Sequence, residues 1–301
     1  MRQDNRSTYL RPDVVSRLST MEMRARLVVE GFITGLHKSP YHGFSVEFAE
    51  HRQYMPGDEI RRVDWKVFGR TDRYYIKQFE EETNLKSYMV LDTSRSMQFH
   101  SPGNITKLQY ASYLSAALAY LMMRQQDAVG LLTYDEVLQK YLPPHSTKVY
   151  LKSILMELER LQAANATGTG RALNMAAERL HRRGLVMIFS DLFDDPDQVL
   201  SALKHFRYNQ HEVILFHILD PRERNFDFGR DAIFRDMENN EEMMTQPYQI
   251  QRAYQEAMRD FIARYKKECR EQRIDYVLLD TATPFDTALF EYLNKRRKIG
   301  G

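Results

Sequence analysis

The alternation of apolar runs with amphipathic stretches after about residue 85 is the feature that most constrains the fold. The runs Tyr88–Leu91, Ala128–Thr133, Leu185–Phe189 and Val213–Leu219 are apolar almost throughout, which is typical of strands covered on both faces. Between such runs lie segments with apolar residues at helical spacing, of which Leu108–Arg124 is the clearest. The pattern predicts an α/β fold of three layers, in which helices cover both faces of a doubly wound, mostly parallel, Rossmann-like sheet.

Residues 1–85 follow a different pattern. They contain one amphipathic stretch, Asp13–Thr34, and two short strand-like runs, Ser45–Tyr54 and Tyr74–Phe79. These runs and Trp65, the one tryptophan of the chain, need a core to cover them. We therefore expect residues 1–85 to form a small α+β subdomain packed beside the main domain.

The main domain, residues 86–301, contains one segment that breaks the alternation. Residues 222–245 are polar and aromatic, and the runs Ile233–Met237 and Glu241–Thr245 flank a Glu-Asn-Asn turn. This arrangement predicts a β-hairpin insertion.

Composition narrows the class of protein. Lys and Arg number 43 against 41 Asp and Glu, a balance that argues against nucleic-acid binding. The single cysteine, Cys269, excludes an internal disulfide and a cysteine-based zinc cluster. The longest uncharged stretch, Leu108–Met123, is shorter than the about 20 apolar residues of a membrane-spanning helix.

Targeting signals are not evident either. The first 30 residues carry several arginines and no apolar block, unlike a secretory leader. The basic run Lys295–Lys298 is typical of a helix end that complements the helix dipole. We expect a cytoplasmic protein whose membrane contact is at most peripheral.

The motif Asp92-x-Ser94-x-Ser96 lies where the first strand of the main domain ends. Thr167 lies in a loop that leads into a helix, and Asp191 ends a later strand. Ligands of parallel sheets bind beyond the carboxyl ends of the strands. If the strands that end at Asp92 and Asp191 are neighbours, these residues predict one oxygen cluster suited to Mg²⁺ or Mn²⁺.

The order and spacing of these residues resemble the metal-ion-dependent adhesion site of von Willebrand factor A domains. The likeness includes the Thr-x-Thr-Gly-x-Ala-Leu loop at Thr167–Leu173 and the pair Ser190-Asp191. It implies that a divalent cation is bound, directly or through water, by Asp92, Ser94, Ser96, Thr167 and Asp191. It also implies that a carboxylate of a partner protein can complete the coordination shell. One departure is Leu192, where these domains commonly carry glycine.

A further motif before the main domain reads Arg52-x-Tyr54-x-Pro56-Gly57-Asp58-x-x-Arg61-x-Val63-Asp64-Trp65. It resembles a bacterial branch of the von Willebrand factor A-like proteins, long catalogued as a domain of unknown function and associated with MoxR-type AAA+ ATPases. The resemblance implies a chaperone-like protein that acts with such an ATPase in maturing or assembling client proteins, or in inserting their metals or cofactors. The client and the oligomeric state stay open.

A metal-dependent, phosphatase-like hydrolase that uses the same oxygen cluster is the alternative function. A haloacid-dehalogenase-like site would need a second aspartate two residues after Asp92, and Ser94 stands there. No pair of nucleophile and base is evident in the sequence. We therefore favour a non-catalytic protein.

Overall fold

The computed structural model describes residues 10–37, 51–53, 65, 68–69, 74–77, 85–164, 166–228, 232–235, 242–245 and 247–300. Its helices are α1 (Pro12–Val15), α2 (Met21–His37), α3 (Lys107–Arg124), α4 (Lys148–Arg160), α5 (Thr169–Arg179), α6 (Pro196–Tyr208), α7 (Pro221–Asn225), α8 (Pro247–Glu271) and α9 (Phe285–Gly300). Its strands are β1 (His51–Gln53), β2 (Tyr75–Lys77), β3 (Lys86–Asp92), β4 (Ala128–Tyr134), β5 (Leu138–His145), β6 (Leu185–Ser190), β7 (Glu212–Leu219), β8 (Ala232–Arg235), β9 (Glu242–Thr245) and β10 (Asp275–Asp280).

A six-stranded sheet with the order β10-β7-β6-β3-β4-β5 forms the centre of the main domain. Every pair in it is parallel except β4 with β5, the edge strand, which is antiparallel. The chain moves outward from β3 to β5 and then returns to β6, so the strand order reverses between β3 and β6. The α/β fold class, with a mostly parallel, doubly wound sheet, is confirmed.

Two layers of helices cover the sheet, as the apolar character of the strands predicted. One face is covered by α2, α3, α4 and α9, whose buried side chains form one core. The other face is covered by α5, α6 and α8, which form a second core. Both faces of the central strands are thereby removed from water, which is the main stabilising contribution to such a sheet.

The N-terminal helix lies on the first of these layers. Where the sequence predicted one stretch over Asp13–Thr34, the structure has the short α1 and the longer α2, separated by Ser16–Thr20. Apolar side chains on one side of α2, Val28 and Phe32 among them, are buried in the core shared with α3. Burial of that face accounts for its helical spacing.

The prediction that Trp65 lies in a core is wrong. Its exposed fraction is 56%. The indole contacts the edge of the Phe68 ring at a centroid distance of 6.0 Å, and Phe68 in turn stacks on Tyr74. Among the described residues, the aromatic ring of Phe68 is a contact of Trp65, and a side chain of this size is seldom fully buried.

Most of residues 38–84 lie outside the described residues, and with them most of the runs predicted there. The short strands β1 and β2 pair in antiparallel fashion, with Arg52 opposite Ile76. The division into a subdomain over 1–85 and a main domain over 86–301 therefore stays a prediction. Within 222–245, β8 and β9 form an antiparallel pair with Ile233 opposite Met244.

The other end of the sheet carries a pairing of charges. Lys295, the first residue of the basic run, lies 2.7 Å from Glu212 and 2.9 Å from Asp275, at the beginnings of β7 and β10. As for the membrane, none of the helices among the described residues has the length and apolar character needed to cross a bilayer.

Candidate metal centre

Asp92 is the last residue of β3 and is fully buried. One carboxylate oxygen, Oδ1, accepts a hydrogen bond from the amide of Ser94 at 2.9 Å. The other, Oδ2, accepts from the hydroxyls of Ser190 at 2.6 Å and Thr169 at 3.3 Å. All three donors are neutral, so they orient the carboxylate without balancing its charge.

The surroundings of Asp92 disfavour its charged form. Burial raises the pKa of Asp92 to about 6, and the nearby carboxylate of Asp191 acts in the same direction. The hydrogen bonds from Ser190 and Ser94 offset this only in part. A divalent cation beside the carboxylate would favour the charged form, because opposite charges stabilise one another most where water is excluded.

Ser94 and Ser96 lie in the turn that follows β3. Residues Arg95–Gln98 form a 3₁₀ helix, and Ser94 precedes it in extended conformation. This turn brings the two hydroxyl oxygens to 3.1 Å from each other. Adjacent ligands of an octahedral shell with metal–oxygen distances of about 2.1 Å are about 3 Å apart. The spacing of the two hydroxyls thus fits two neighbouring ligands of a small hard cation.

Thr167 lies in the loop that leads into α5, and its hydroxyl oxygen is buried. The loop is held close to the start of α6, since the amide of Gly170 donates to Asp194 at 2.9 Å. A Cβ atom at Gly170 would lie 2.7 Å from the Cβ of Gln198, so only glycine fits without a shift. Thr169, the first residue of α5, contacts Asp92.

Asp191 directly follows β6, the parallel neighbour of β3. The predicted cluster required the two strand ends to be adjacent, and the register, in which Leu91 lies opposite Phe189, meets this condition. The carboxylate is buried, and its Oδ2 lies 2.7 Å from the ammonium group of Lys107. In the part of the chain that the structure describes, Asp191 thus has a cation of the chain beside it, and Asp92 does not.

Lys107 is the first residue of α3, and its side chain is fully buried. Its Nζ donates to Asp191 and also, at 2.7 Å, to Oε1 of Glu223. Burial by itself lowers the pKa of Lys107, but the two carboxylates outweigh it and raise the pKa above its usual value. The side chain is therefore an ammonium ion between two carboxylates.

His217 contacts the backbone of the loop that follows β6. Nε2 of His217 lies 3.0 Å from the backbone carbonyl of Asp191, and Nδ1 lies 2.7 Å from the hydroxyl of Tyr276. Since a carbonyl can only accept, Nε2 carries the proton and Nδ1 accepts from the tyrosine. Burial lowers the pKa of His217 to about 4, so this imidazole is neutral at physiological pH.

Leu192, the departure from the adhesion-site pattern, keeps the backbone conformation that favours glycine. Its φ is 59°, in the left-handed region, and its side chain is fully buried. Its amide donates to the hydroxyl of Ser190 at 2.9 Å, and that hydroxyl in turn donates to Asp92. The loop therefore holds Ser190 in place despite the leucine.

The structure brings Asp92, Ser94 and Ser96 together after β3, and Asp191 follows the neighbouring strand β6. Thr167 lies in the loop before α5, and its part in the ligand set stays a prediction. Three or more His, Cys, Asp or Glu side chains do not converge anywhere in the described part of the chain. A cation at this edge would therefore depend on hydroxyl oxygens for much of its shell.

Sequence reasoning missed Lys107, Glu223 and His217. Lys107 is unusual because the first turn of a helix favours acidic residues, so a lysine there needs carboxylates nearby. Glu223 belongs to a capping box with Asp220, which the sequence Asp220-Pro221-Arg222-Glu223 indicates. These were the signals that could have revealed two of the three residues.

Over most of its length the chain is similar to a family of proteins and to mycobacterial sequences. A family model described as "Protein of unknown function DUF58" matches residues 50–267. The uncharacterized protein Rv1480 of Mycobacterium tuberculosis is 27% identical over 232 residues, which are 76% of this chain and 72% of that protein. The uncharacterized protein Mb1516 of Mycobacterium bovis gives the same values.

Solved structures with a similar course of the chain include BatB from Bacteroides thetaiotaomicron, at 19% identity and a TM-score of 0.48, covering 71% of this chain and 99% of that one. An aerotolerance-related membrane protein from Bacteroides fragilis is 20% identical with a TM-score of 0.49, covering 70% and 99%. The VWA domain of SpRpn10 is 10% identical with a TM-score of 0.38, covering 68% and 93%. Similarities this low say nothing about the chemistry or the partners of this chain.

Proposed function

This chain belongs to the family described as protein of unknown function DUF58, and from the geometry of its oxygen cluster we propose that it is a non-catalytic, metal-dependent protein-binding module. A divalent cation, Mg²⁺ or in its place Mn²⁺, would be held by Asp92, Ser94, Ser96, Thr167 and Asp191. The observation that carries the proposal is the buried carboxylate of Asp92, for which the described residues supply neutral donors.

The residues around the cluster supply the preorganisation that such a site needs. The amide of Ser94 and the hydroxyls of Ser190 and Thr169 fix the carboxylate of Asp92. When bound, the cation supplies an open coordination position that attracts a carboxylate of a partner protein. Because the ligands lie on loops anchored to a rigid sheet, the chain presents this position in a fixed direction.

We propose that the partner is a MoxR-type AAA+ ATPase or one of its clients, which would engage through an Asp or Glu in the cytoplasm. This step rests on the resemblance of the Arg52–Trp65 segment to the branch associated with such ATPases. An acidic partner is the chemistry that an open position on a hard cation selects.

The hydrogen bonds of His217 support a non-catalytic role for the site. Both ring nitrogens of His217 are engaged, with the Asp191 carbonyl and with the Tyr276 hydroxyl. A general base must reach the proton that it abstracts, and both nitrogens of this imidazole are already hydrogen-bonded.

One observation favours the hydrolase alternative, namely the pKa of Asp92 near 6, because perturbed carboxyl groups are common in active sites. That alternative has a direct test. With Mg²⁺ and a phosphate monoester such as p-nitrophenyl phosphate, a hydrolase would show turnover that Asp92→Asn abolishes. We expect no turnover above the Asp92→Asn background.

The binding function is tested by capture of the purified MoxR-type ATPase on the immobilised protein, in Mg²⁺ and in EDTA. We expect EDTA and the double change Ser94→Ala, Ser96→Ala to weaken the complex similarly, and EDTA to do little more to the double variant. Ser115→Ala is the matched control, since this buried serine of α3 lies outside the cluster. Equal capture in Mg²⁺ and EDTA would place the partner surface elsewhere.

A further inference from the structure

We infer that Lys107 is a built-in competitor of the divalent cation for the carboxylate of Asp191. The inference rests on the proposed cation site and states what sets its affinity. Lys107 lies 84 residues from Asp191 along the chain, and it is not one of the residues that the adhesion-site pattern contains.

The ammonium group is held in place from several sides. Its Nζ lies 2.7 Å from Asp191 and 2.7 Å from Glu223, and the Lys107 side chain has no exposed surface. The rings of Phe193 and Phe99 lie 4.8 Å and 5.8 Å from Nζ. A buried ammonium ion is stable only when it is paired, so the buried Lys107 depends on these two carboxylates.

The backbone adds to this positive charge. Lys107 begins α3, whose N-terminus is closed by a capping box between Thr106 and Gln109. A helix N-terminus carries a partial positive charge. A divalent cation that binds Asp191 is therefore repelled by an ammonium ion and by a helix N-terminus close to the same carboxylate. Both lower the affinity of Asp191 for the cation.

Glu223 gives the ammonium group a second place to bind. Its Oε1 accepts from Lys107, while its Oε2 accepts from the amide of Asp220 at 3.0 Å. The capping box of α7 thus fixes Glu223 independently of Asp191. When a cation takes Asp191, Glu223 retains the ammonium group and lowers the cost of the exchange. Lys107 and Glu223 should therefore have opposite effects on cation binding.

The experiment is a calorimetric titration with Mg²⁺ of the full chain, of Lys107→Gln and of Glu223→Gln, at one pH and ionic strength. We expect Lys107→Gln to bind at least about tenfold more tightly, because removal of a like charge at this range changes the affinity of a carboxylate for its cation by that order. We expect Glu223→Gln to bind about tenfold more weakly, since the ammonium then depends on Asp191 alone.

The matched control is Lys140→Gln, which removes the same charge from an exposed lysine paired with Glu157. Its affinity for Mg²⁺ should equal that of the unchanged chain, and circular dichroism should show each variant folded.

Each outcome decides the matter. Tighter binding of Mg²⁺ by Lys107→Gln than by the unchanged chain supports the inference. Measurable binding by Lys107→Gln also supports it if the unchanged chain binds Mg²⁺ too weakly to detect. Equal or weaker binding by folded Lys107→Gln overturns it and leaves the cation site standing. Absence of binding in all variants overturns both the inference and the proposed function. If Lys107→Gln does not fold, Glu223→Gln decides, because unchanged or tighter binding by that variant contradicts the competition.

Discussion

The two buried aspartates of the candidate site differ in what balances their charge. Asp92 has neutral donors, whereas Asp191 has the ammonium group of Lys107. A residue kept in a conformation or charge state that costs stability is typical of functional sites. This difference in charge balance between Asp92 and Asp191 is the main reason to regard Asp92 as the principal ligand of the cation.

The contrast predicts opposite effects on the stability of the metal-free protein. Asp191→Asn leaves a buried ammonium short of a carboxylate and should lower the free energy of unfolding by about 3 kcal/mol. Asp92→Asn removes a carboxylate whose pKa burial raises to about 6, and should raise the free energy of unfolding at pH 7 by up to about 3 kcal/mol. Urea unfolding in EDTA measures both. A loss of stability in Asp92→Asn as large as in Asp191→Asn would contradict the distinction.

Leu192 makes a second prediction at this scale. Its left-handed backbone costs about 1 kcal/mol, which glycine would recover, but its buried side chain contributes about 2–5 kcal/mol. Leu192→Gly should therefore lower the free energy of unfolding by about 1–4 kcal/mol. Leu192→Ala keeps the backbone strain and should be about 1 kcal/mol less stable than Leu192→Gly. The reverse order in urea unfolding would show that no strain is stored there.

Single residues also mark the limit of prediction from sequence. Asp92, Ser94 and Ser96 could be found because they are close together in the chain and follow an apolar strand. The signals at Lys107 and Glu223 mark unusual positions, but their meeting with Asp191 could not be predicted, because it depends on how α3 and α7 are placed over the sheet edge. Trp65 was misjudged because apolar character alone does not tell a core position from an aromatic cluster at the surface.

At the scale of elements, the reversal of strand order between β3 and β6 is what brings the two ligand-bearing strand ends together. This adjacency could be predicted, since apolar runs separated by helices allow few topologies. The packing of α7 could not, because its five residues carry too weak a pattern. Yet Glu223 of α7 and Asp220, the N-cap of this helix, tie it to the site and to the neighbouring loop.

A substitution at Asp220 tests whether this residue anchors α7 to the neighbouring loop. Its buried carboxylate accepts from the amide of Ser101 at 2.8 Å and from the amide of Arg222 at 2.8 Å, and it also accepts from the Ser101 hydroxyl. Asp220→Ala should lower the free energy of unfolding by about 3 kcal/mol, because these buried donors lose their acceptor. The comparison is Asp195→Ala, an exposed helix cap, which should cost about 1 kcal/mol. Thermal or urea unfolding of both variants measures the difference, and equal costs would refute the tie.

At the scale of the whole molecule, stability should depend on pH through His217. Burial lowers its pKa to about 4, against an unfolded value of 6.5. The unfolded chain then binds more protons between these values, so stability is present above pH 6.5 and is lost as the pH falls towards 4. The loss from this group should approach about 3 kcal/mol.

His217→Gln removes that titration and keeps a donor for the Asp191 carbonyl. Its stability should fall less than that of the unchanged chain between pH 6.5 and pH 4. Asp92, whose pKa is raised, acts in the opposite direction, but it contributes equally to both proteins. Parallel curves of unfolding free energy against pH would show that His217 does not titrate as its burial implies.

The central claim concerns the molecule as a binding module, in which one edge of the sheet holds a divalent cation for a partner. The most direct test is calorimetric titration of the full chain with Mg²⁺, beside the folded variant Asp92→Asn under the same conditions. We expect saturable binding to the unchanged chain and its loss in Asp92→Asn. Equal binding by the two proteins would contradict the claim.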